Sequence, residues 1–340
     1  MSKTLQKNSD YKKFVVDSRL QYFKPYSTRV EKTFAEEIHA GLGNDPKSIA
    51  SKFFYDQKGS ELFEKICALP EYYPTRTEIS ILENIRDDLS EYLGKDCRLV
   101  ELGSGTSVKT RLLLDIFNEI DGIIEYFPID ISDILAESSE RLLAEYAKLH
   151  IAGIIDAYEG GLDFLRKIDG KQSLIIFLGS SYGNFHPAEG MELLKAIYSA
   201  MKPGDLFLIG LDMIKDKDDL ESAYNDSAGI TAEFNLNVLS RINNELDADF
   251  DLANFEHYAT YNQEEQRVEM YVKSLVNQSI QISKSNQIVR LNQGELISTE
   301  YSYKFSPEKI YSMLHKIGFG TKHMWKDGKG YFSLTLASKD

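Results

Sequence analysis

Short apolar runs alternate with longer amphipathic stretches through the middle of the chain. Between residues 98 and 212 the apolar runs have strand length, and the segments that separate them have helical periodicity. The runs are RLVELG, IEYFPIDIS, AGIIDAYEG, SLIIFLGSS and DLFLIGLDM. This alternation predicts βαβ units, and therefore a parallel sheet with helices on both faces. We expect an α/β fold with a doubly wound, Rossmann-like core.

The alternation stops after Asp216. A helical stretch follows, and then strand-like segments at 266–275, 279–291 and 295–305. The segment SPEKIYSMLHKIGF begins with a Ser-Pro pair and a glutamate at capping-box spacing, which predicts a helix. The closing segment GYFSLTLASK is typical of a strand.

The returning helix and strand divide the chain into two expected domains. We predict that 77–215 and 304–340 form the core. We predict that 20–76 and 216–303 form a second, smaller α+β substrate-binding domain, which covers the edge of the sheet where ligands bind.

Composition narrows the class of partner. The chain has 340 residues, 42% of them hydrophobic, and a net charge of −14, which argues against nucleic acid as a partner and favours a small molecule. Its cysteines, Cys67 and Cys97, have no metal-type spacing, and His257, His315 and His323 show no ligand spacing, so we expect no metal. The apolar runs are too short to span a bilayer. We expect a cytoplasmic protein that does not bind membranes and is a monomer.

A glycine turn interrupts the segment LVELGSGTSVKTRLLL. Gly103 and Gly105 stand between a strand and a helix, where backbone N–H groups suit a carboxylate or a phosphate. The third glycine of the dinucleotide motif and the G-K-[ST] of a phosphate loop are both missing, so the turn alone leaves its ligand open. Asp130 ends the next strand about 25 residues later, where a carboxylate accepts hydrogen bonds from ribose hydroxyls. The two features together favour an adenosyl cofactor.

Other polar positions are ambiguous from spacing alone. Asn184 of FLGSSYGNF suits either a left-handed turn or a substrate contact. PEYYPTR suits an ordinary aromatic loop, and TEYS near residue 300 suits a strand with an exposed glutamate.

Several long segments of the chain resemble one known family. The segments are FFYDQKGSELFEKICALPEYYPTRTE, LVELGSGTSVKTRLLL, YFPIDIS, FLGSSYGNF, AYNDSAGITAEFNLNVL and TEYSYKF. They are similar to the histidine Nα-methyltransferases of ergothioneine biosynthesis, from about residue 50 to the end of the chain. Members of that family use S-adenosylmethionine (SAM) to methylate the α-amine of L-histidine three times, giving hercynine. The resemblance implies a class I SAM-dependent methyltransferase core.

The resemblance also implies cofactor contacts. Gly103 and Lys109 would lie at the methionine end of SAM, and Asp130 would bind the ribose. The full implied set is Tyr55, Gly103, Lys109, Asp130, Ala157, Tyr158 and Gly179. The adenine loop of the family reads like G-D-F, whereas this chain has Asp156-Ala157-Tyr158, so the side-chain hydrogen bond to adenine is in doubt while Tyr158 can still cover the ring.

For the substrate, the resemblance implies two groups of contacts. The amino-acid head would lie among Tyr72, Asn184 and Tyr224, and Glu300 and Ser302 would bind the imidazole. The resemblance also places Met270 beside the ring. Tyr55, Phe63 and Tyr72 are aromatic neighbours that can accommodate the methylated cation by cation–π contact. The candidate catalytic residues, which orient the amine, are Tyr55, Asn184 and Tyr224.

Two alternatives differ from this interpretation in substrate or in class. A methyltransferase for another aromatic amino acid, such as tryptophan or a derivative, is disfavoured because an indole gains little from the carboxylate of Glu300. A SAM- or nucleotide-binding module without catalysis, or a nicotinamide-dependent oxidoreductase, is the second alternative, and the missing third glycine disfavours the oxidoreductase.

Overall fold

The computed structural model describes residues 10–26, 32–105, 107–120, 122–131, 134–168 and 170–340. Residues 27–31 of the expected second domain, Thr106 of the glycine turn and Ser132 of the second apolar run lie outside this set.

Strands and helices alternate along the chain. The strands are β1 (Tyr11–Val15), β2 (Leu20–Pro25), β3 (Arg98–Leu102), β4 (Ile124–Asp130), β5 (Leu149–Ile155), β6 (Ser173–Phe177), β7 (Leu206–Asp212), β8 (Phe255–Asn262), β9 (Arg267–Ser274), β10 (Gln278–Ile282), β11 (Gln287–Leu291), β12 (Leu296–Tyr303), β13 (Gly320–Lys326) and β14 (Phe332–Ser338). The α-helices are α1 (Phe34–Gly43), α2 (Gln57–Cys67), α3 (Tyr73–Asn84), α4 (Arg86–Ser90), α5 (Val108–Glu119), α6 (Ile134–Glu145), α7 (Tyr158–Arg166), α8 (Pro187–Ala200), α9 (Lys217–Ser222), α10 (Ile230–Leu246) and α11 (Pro307–Ile317).

A nine-stranded mixed sheet forms the centre of the molecule, with strand order β1-β2-β5-β4-β3-β6-β7-β14-β13. Strands β2 to β7 run parallel, and β14 is antiparallel to β7. All five residues of β3 and all seven of β7 are buried, as expected for strands covered by helices on both faces. The strand order reverses beside β3, which places a ligand crevice at the carboxyl ends of the neighbouring strands. The predicted doubly wound α/β core is confirmed.

Residues 216–303 lie outside this sheet. Strands β12, β9 and β8 form a separate antiparallel sheet, and β10 pairs with β11 in a hairpin. The expectation of one strand-like segment over 279–291 is therefore wrong, because the chain reverses at Ser283–Ser285 and Asn286 takes a positive φ of 49°. Helices α1, α2 and α10 share an apolar cluster with these strands.

The N-terminal hairpin extends the large sheet instead of joining this layer. β2, which begins at the expected boundary of the second domain, pairs in parallel with β5. Leu20 and Phe23 of β2 are buried there, and the hairpin covers what would otherwise be the free edge of β5. The division into two domains remains a prediction. Among the described helices, none combines the length and apolar character needed to cross a membrane.

Candidate active site

The glycine turn passes directly beside Tyr158 at the carboxyl ends of β3 and β5. Gly103 has a φ of +76°, and a Cβ atom built on it would lie 2.9 Å from the Tyr158 hydroxyl oxygen. Glycine is therefore required here by both backbone conformation and space. The ring of Tyr158 also packs edge-on against Phe177, with centroids 5.5 Å apart. Tyr158 thus contacts both the glycine turn and Phe177 of β6, and its role at the adenosyl group stays a prediction.

Asp130 lies next to this turn at the end of β4. The backbone N–H of Ser104 donates to its Oδ2 atom over 3.2 Å, and the side chain is half-buried. A carboxylate in this position can accept further hydrogen bonds, since each oxygen has more than one acceptor direction.

Lys109 is paired with a carboxylate that the sequence analysis missed. Its Nζ atom donates to Glu78 Oε2 over 2.7 Å, and Glu78 on α3 is fully buried. Glu78 also accepts from the backbone N–H of Gly179 at 2.9 and 3.0 Å, and a Cβ atom on Gly179 would lie 3.1 Å from Lys109 Nζ. Lys109 and Gly179 are therefore brought together by Glu78, which offsets the positive charge beside the candidate cofactor site.

The segment Asp156-Ala157-Tyr158, where the chain departs from the family's adenine loop, is held by hydrogen bonds within the protein. Asp156 accepts from the backbone N–H of Ala157 over 2.8 Å, and its other oxygen accepts from the Tyr11 hydroxyl on β1. The Tyr11 hydroxyl also lies 2.9 Å from the carbonyl oxygen of Gly160. The carboxylate is thus bound to the protein itself, and Ala157 offers no side-chain hydrogen bond.

A row of aromatic rings forms one wall of the cleft. Ring centroids lie 5.5 Å apart for Tyr55 and Phe63, 6.2 Å for Phe63 and Tyr72, and 6.3 Å for Tyr72 and Tyr224. The first three rings precede the core in sequence and Tyr224 follows it, so the fold brings them together. Desolvation raises the pKa of Tyr72 and Tyr224, and also that of Tyr55, although the Tyr55 side chain is 45% exposed, so these phenols stay protonated near neutral pH. They can serve as hydrogen-bonding groups and apolar surface but not as phenolate bases.

Glu300 presents a free acceptor to this cleft. It lies opposite Met270 in the pairing of β12 with β9 and is half-buried, and its carboxylate makes no hydrogen bond to any described residue. Burial raises its pKa from 4.5 to about 7, and the positive charge of Lys304 opposes the shift. After burial, the charge of Glu300 also contributes to the raised pKa of Tyr55, as does Tyr158.

Behind Glu300, a buried polar cluster supports two of the expected substrate contacts. Tyr224 donates to Ser302 Oγ over 2.8 Å, and Lys304 Nζ lies 3.1 Å from the Tyr224 hydroxyl and 2.8 Å from Ser302 Oγ. Lys304 also pairs with Asp212 Oδ2 over 2.8 Å. Asp212 in turn accepts from Tyr73 and pairs with Lys215.

The sequence analysis missed Asp212, Lys215 and Lys304. Two signals were present: Asp212 ends an apolar strand, and Lys304 follows Glu300 and Ser302 at the two-residue spacing of one strand face.

Asn184 stands apart from this cluster. It ends the short 3-10 helix Ser181–Asn184 and is exposed, and its side chain makes no hydrogen bond within the described part of the chain. The preceding Gly183 lies against β12, because a Cβ atom on it would be 2.8 Å from the carbonyl oxygen of Tyr303. The role expected for Asn184 at the amino-acid head stays a prediction.

His, Cys, Asp and Glu side chains do not gather into a metal-binding group of three or more anywhere in the described ranges.

Comparison with known proteins places the chain in a family. The profile of a family described as histidine-specific methyltransferase, SAM-dependent, matches residues 34–339. The chain is 41% identical to histidine N-alpha-methyltransferase of Mycolicibacterium smegmatis over 302 residues, which cover 88% of this chain and 93% of the relative. It is 39% identical to the protein of the same name from Mycobacterium tuberculosis, over 89% of this chain and 94% of the relative.

A relative with a different name is more distant. The chain is 28% identical to the L-tryptophan methyltransferase of Psilocybe serbica, over 87% of this chain and 90% of the relative. The doubly wound core is that of a class I SAM-dependent methyltransferase. The chain belongs to the family of SAM-dependent, histidine-specific methyltransferases.

Proposed function

We propose that this enzyme transfers methyl groups from SAM to the α-amine of L-histidine, three times in succession, to give hercynine for ergothioneine biosynthesis. The observation that carries the proposal is that Glu300 and Ser302 lie two residues apart on β12, so a carboxylate and a hydroxyl share one strand face. An imidazole needs an acceptor for its N–H and a donor for its other nitrogen, and these two side chains can supply both.

The cofactor crevice fits SAM. Gly103 has no room for a side chain beneath Tyr158, and the Asp130 carboxylate ends the neighbouring strand. We assign the methionine end to the turn at Gly103 and to Lys109, the ribose to Asp130, and the adenine to Ala157 and Tyr158. SAM supplies an electrophilic methyl group when it is bound.

The main contribution of the protein to catalysis is to position the two reacting groups. A neutral amine lone pair must be aligned with the methyl carbon, and fixing that geometry can account for much of the rate enhancement. We assign the head group to Asn184, Tyr72 and Tyr224, with Tyr55 between the head group and the cofactor. Because the tyrosines near the head have raised pKa values, the proton of each ammonium leaves to water.

The methylated intermediates require space for a cation. The rings of Tyr55, Phe63 and Tyr72 form a neutral wall near the assigned head group. Cation–π contact with such rings contributes about 0.5–2 kcal/mol and asks for no fixed hydrogen-bond direction, so it suits an amine whose N–H groups are progressively replaced.

The test is mass spectrometry of the protein incubated with SAM and the twenty amino acids. We expect mass increases of one, two and three methyl groups on histidine alone. Methylated tryptophan in place of methylated histidine would refute the substrate assignment, and no methylated amino acid would refute the function.

A variant isolates the ring contact. Glu300→Ala removes a charged acceptor for the ring, so we expect kcat/KM for histidine to fall by an amount that corresponds to about 1.5–3 kcal/mol. The variant should also accept tryptophan more readily than the wild type does. Asn184→Ala is the matched control, since it removes a head-group contact that both substrates share. If the ratio of kcat/KM for histidine to kcat/KM for tryptophan is the same in Glu300→Ala as in the wild type, Glu300 does not bind the ring.

The cytoplasmic location and the monomeric state of the protein remain predictions.

A further inference from the structure

Strand β12 contains one extra residue immediately before Glu300. Ser298 lies opposite Tyr271 of β9 and Glu300 lies opposite Met270, so two neighbouring positions on β9 face three positions on β12. The extra residue is Thr299, and this arrangement is a β-bulge. Bulges beside binding sites change the direction in which the following side chains point.

The bulge determines which residues of β12 face the inside of the molecule. Val272 and Met270 of β9 are buried on the inner face, and Ile297 lies opposite Val272 before the bulge. In a regular strand, side chains alternate between the two faces, so a strand with Ile297 inside would have Tyr301 inside and Glu300 outside. With the extra residue, Glu300 lies opposite Met270, which shares an apolar cluster with rings in the wall of the cleft. The bulge therefore turns Glu300 toward the cleft.

The side chain of Asn235 on α10 binds both strands at the bulge. Its relative exposure is 0%, and its Oδ1 atom accepts from Thr299 Oγ1 over 2.8 Å. Its Nδ2 atom donates to the carbonyl oxygen of Tyr271 over 2.8 Å. A carbonyl oxygen can only accept, so the NH2 group must face β9 and the amide oxygen is left for Thr299. The amide thus holds the extra residue in place.

The same amide reaches Tyr224 through His257 on β8. Asn235 Nδ2 lies 2.8 Å from His257 Nδ1, and His257 Nε2 lies 2.8 Å from the carbonyl oxygen of Tyr224. An NH2 group can only donate and a carbonyl can only accept, so these contacts fit a neutral His257 with its proton on Nε2. Burial lowers the pKa of His257, which favours this neutral form. One buried side chain therefore connects β12 with the segment that carries Tyr224.

We propose that Asn235 is a positioning residue for substrate binding. By holding Thr299 in the bulge, it keeps Glu300 on the cleft side of β12. Through His257, it fixes the backbone at Tyr224. This inference rests on the proposed function, because it concerns how the residues assigned to the two ends of the substrate are held.

Thr299→Val tests the contact at the bulge. Valine has nearly the shape of threonine and the same preference for strands, but it has no hydroxyl to donate to Asn235. Histidine binding is measured by calorimetry, with S-adenosylhomocysteine present to prevent turnover. We expect histidine to bind about tenfold or more weakly than in the wild type, because the bulge loses its anchor and a buried amide oxygen loses its donor. The affinity for S-adenosylhomocysteine alone should not change.

Two variants serve as controls. Thr299→Ser keeps the hydroxyl, so its affinity for histidine should stay within about threefold of the wild type. Asn243→Ala removes another amide from α10, one that bonds to the backbone N–H and carbonyl oxygen of Phe250 over 2.9 and 2.8 Å rather than to β12. It is expected to lower the free energy of unfolding without weakening histidine binding.

The position of Glu300 can also be followed without substrate. Carbon NMR of protein labelled at the glutamate carboxyl groups gives the pKa of Glu300, whose signal is identified by its loss in Glu300→Gln. Burial raises this pKa to about 7 in the wild type. In Thr299→Val we expect it to fall toward 4.5, because the carboxylate is no longer held toward the cleft.

His257→Phe tests the connection to Tyr224. Phenylalanine keeps a ring on β8 but cannot bond to the Tyr224 carbonyl oxygen, so histidine should bind more weakly while the pKa of Glu300 stays raised. Unchanged histidine affinity in this variant would remove the connection to Tyr224 from the proposal.

The outcomes separate this inference from the proposed function. If Thr299→Val leaves the histidine affinity or the pKa of Glu300 unchanged, or if Asn243→Ala or Thr299→Ser weakens histidine binding equally, the proposal is overturned. If Thr299→Val does not fold, Thr299→Ala removes the hydroxyl without adding a methyl group beside Asn235, and the absence of both changes in it overturns the proposal. A wild-type protein that does not bind histidine would instead refute the proposed function, and the pKa of Glu300 would then decide the inference by itself.

Discussion

Replacing Glu300 by glutamine is expected to stabilise the ligand-free protein above neutral pH. The half-buried carboxylate has no hydrogen-bond partner in the described chain, and burial raises its pKa from 4.5 to about 7. Each pKa unit corresponds to about 1.4 kcal/mol, so ionised Glu300 lowers the free energy of unfolding by up to about 3 kcal/mol. The folded state binds the proton more tightly, and stability therefore falls as the pH rises from about 4.5 to about 7. Glutamine carries no charge to bury.

Urea denaturation of both proteins at about pH 8 and about pH 5 measures this cost. We expect the glutamine variant to exceed the wild type by about 2–3 kcal/mol at the higher pH, and by less than about 1 kcal/mol at the lower pH, where folded Glu300 is protonated. Glu264→Gln, at an exposed position, is the control and should change neither value. An advantage that is absent at pH 8, or equal at the two pH values, would refute the reasoning.

Two further predictions concern the cofactor side. Asp130→Ala is expected to weaken SAM binding by about 1–3 kcal/mol in a calorimetric titration, because hydrogen bonds from ribose hydroxyls to a carboxylate are lost, and an unchanged affinity would remove Asp130 from the site. Glu78→Gln is expected to lower the free energy of unfolding by about 3 kcal/mol in urea, since it removes the buried carboxylate that pairs with Lys109, and full stability in this variant would contradict that account.

The predictable parts of the fold are those whose pattern is set locally. Strands β3 to β7 are buried on both faces, so their sequences are continuous apolar runs. Strand β1 was not predicted because four of its five residues are exposed, and it is a strand only because β2 pairs with it.

The residues of the site also divide into those that a local sequence pattern can identify and those that it cannot. Glu300 and Ser302 lie on one strand face, and the same alternation reaches Lys304, which a count by two would have found. Glu78 offers no such signal. It meets Lys109 across 31 residues because α3 and α5 pack together, and no local pattern encodes that contact.

The aromatic wall has a consequence for the order in which the molecule is assembled. Tyr55 and Tyr72 precede the core in sequence, whereas Glu300 lies near the other end of the chain, and the ion pair of Lys47 with Glu295 joins residues 248 positions apart. Contacts of such separation form slowly, because a long loop must close before they contribute. The cofactor turn and its partner strands lie within the contiguous stretch 98–212. During synthesis, the cofactor turn and its partner strands are therefore complete before the ring-binding residues of β12 are made, so the substrate site can be completed only after β12 has been synthesised.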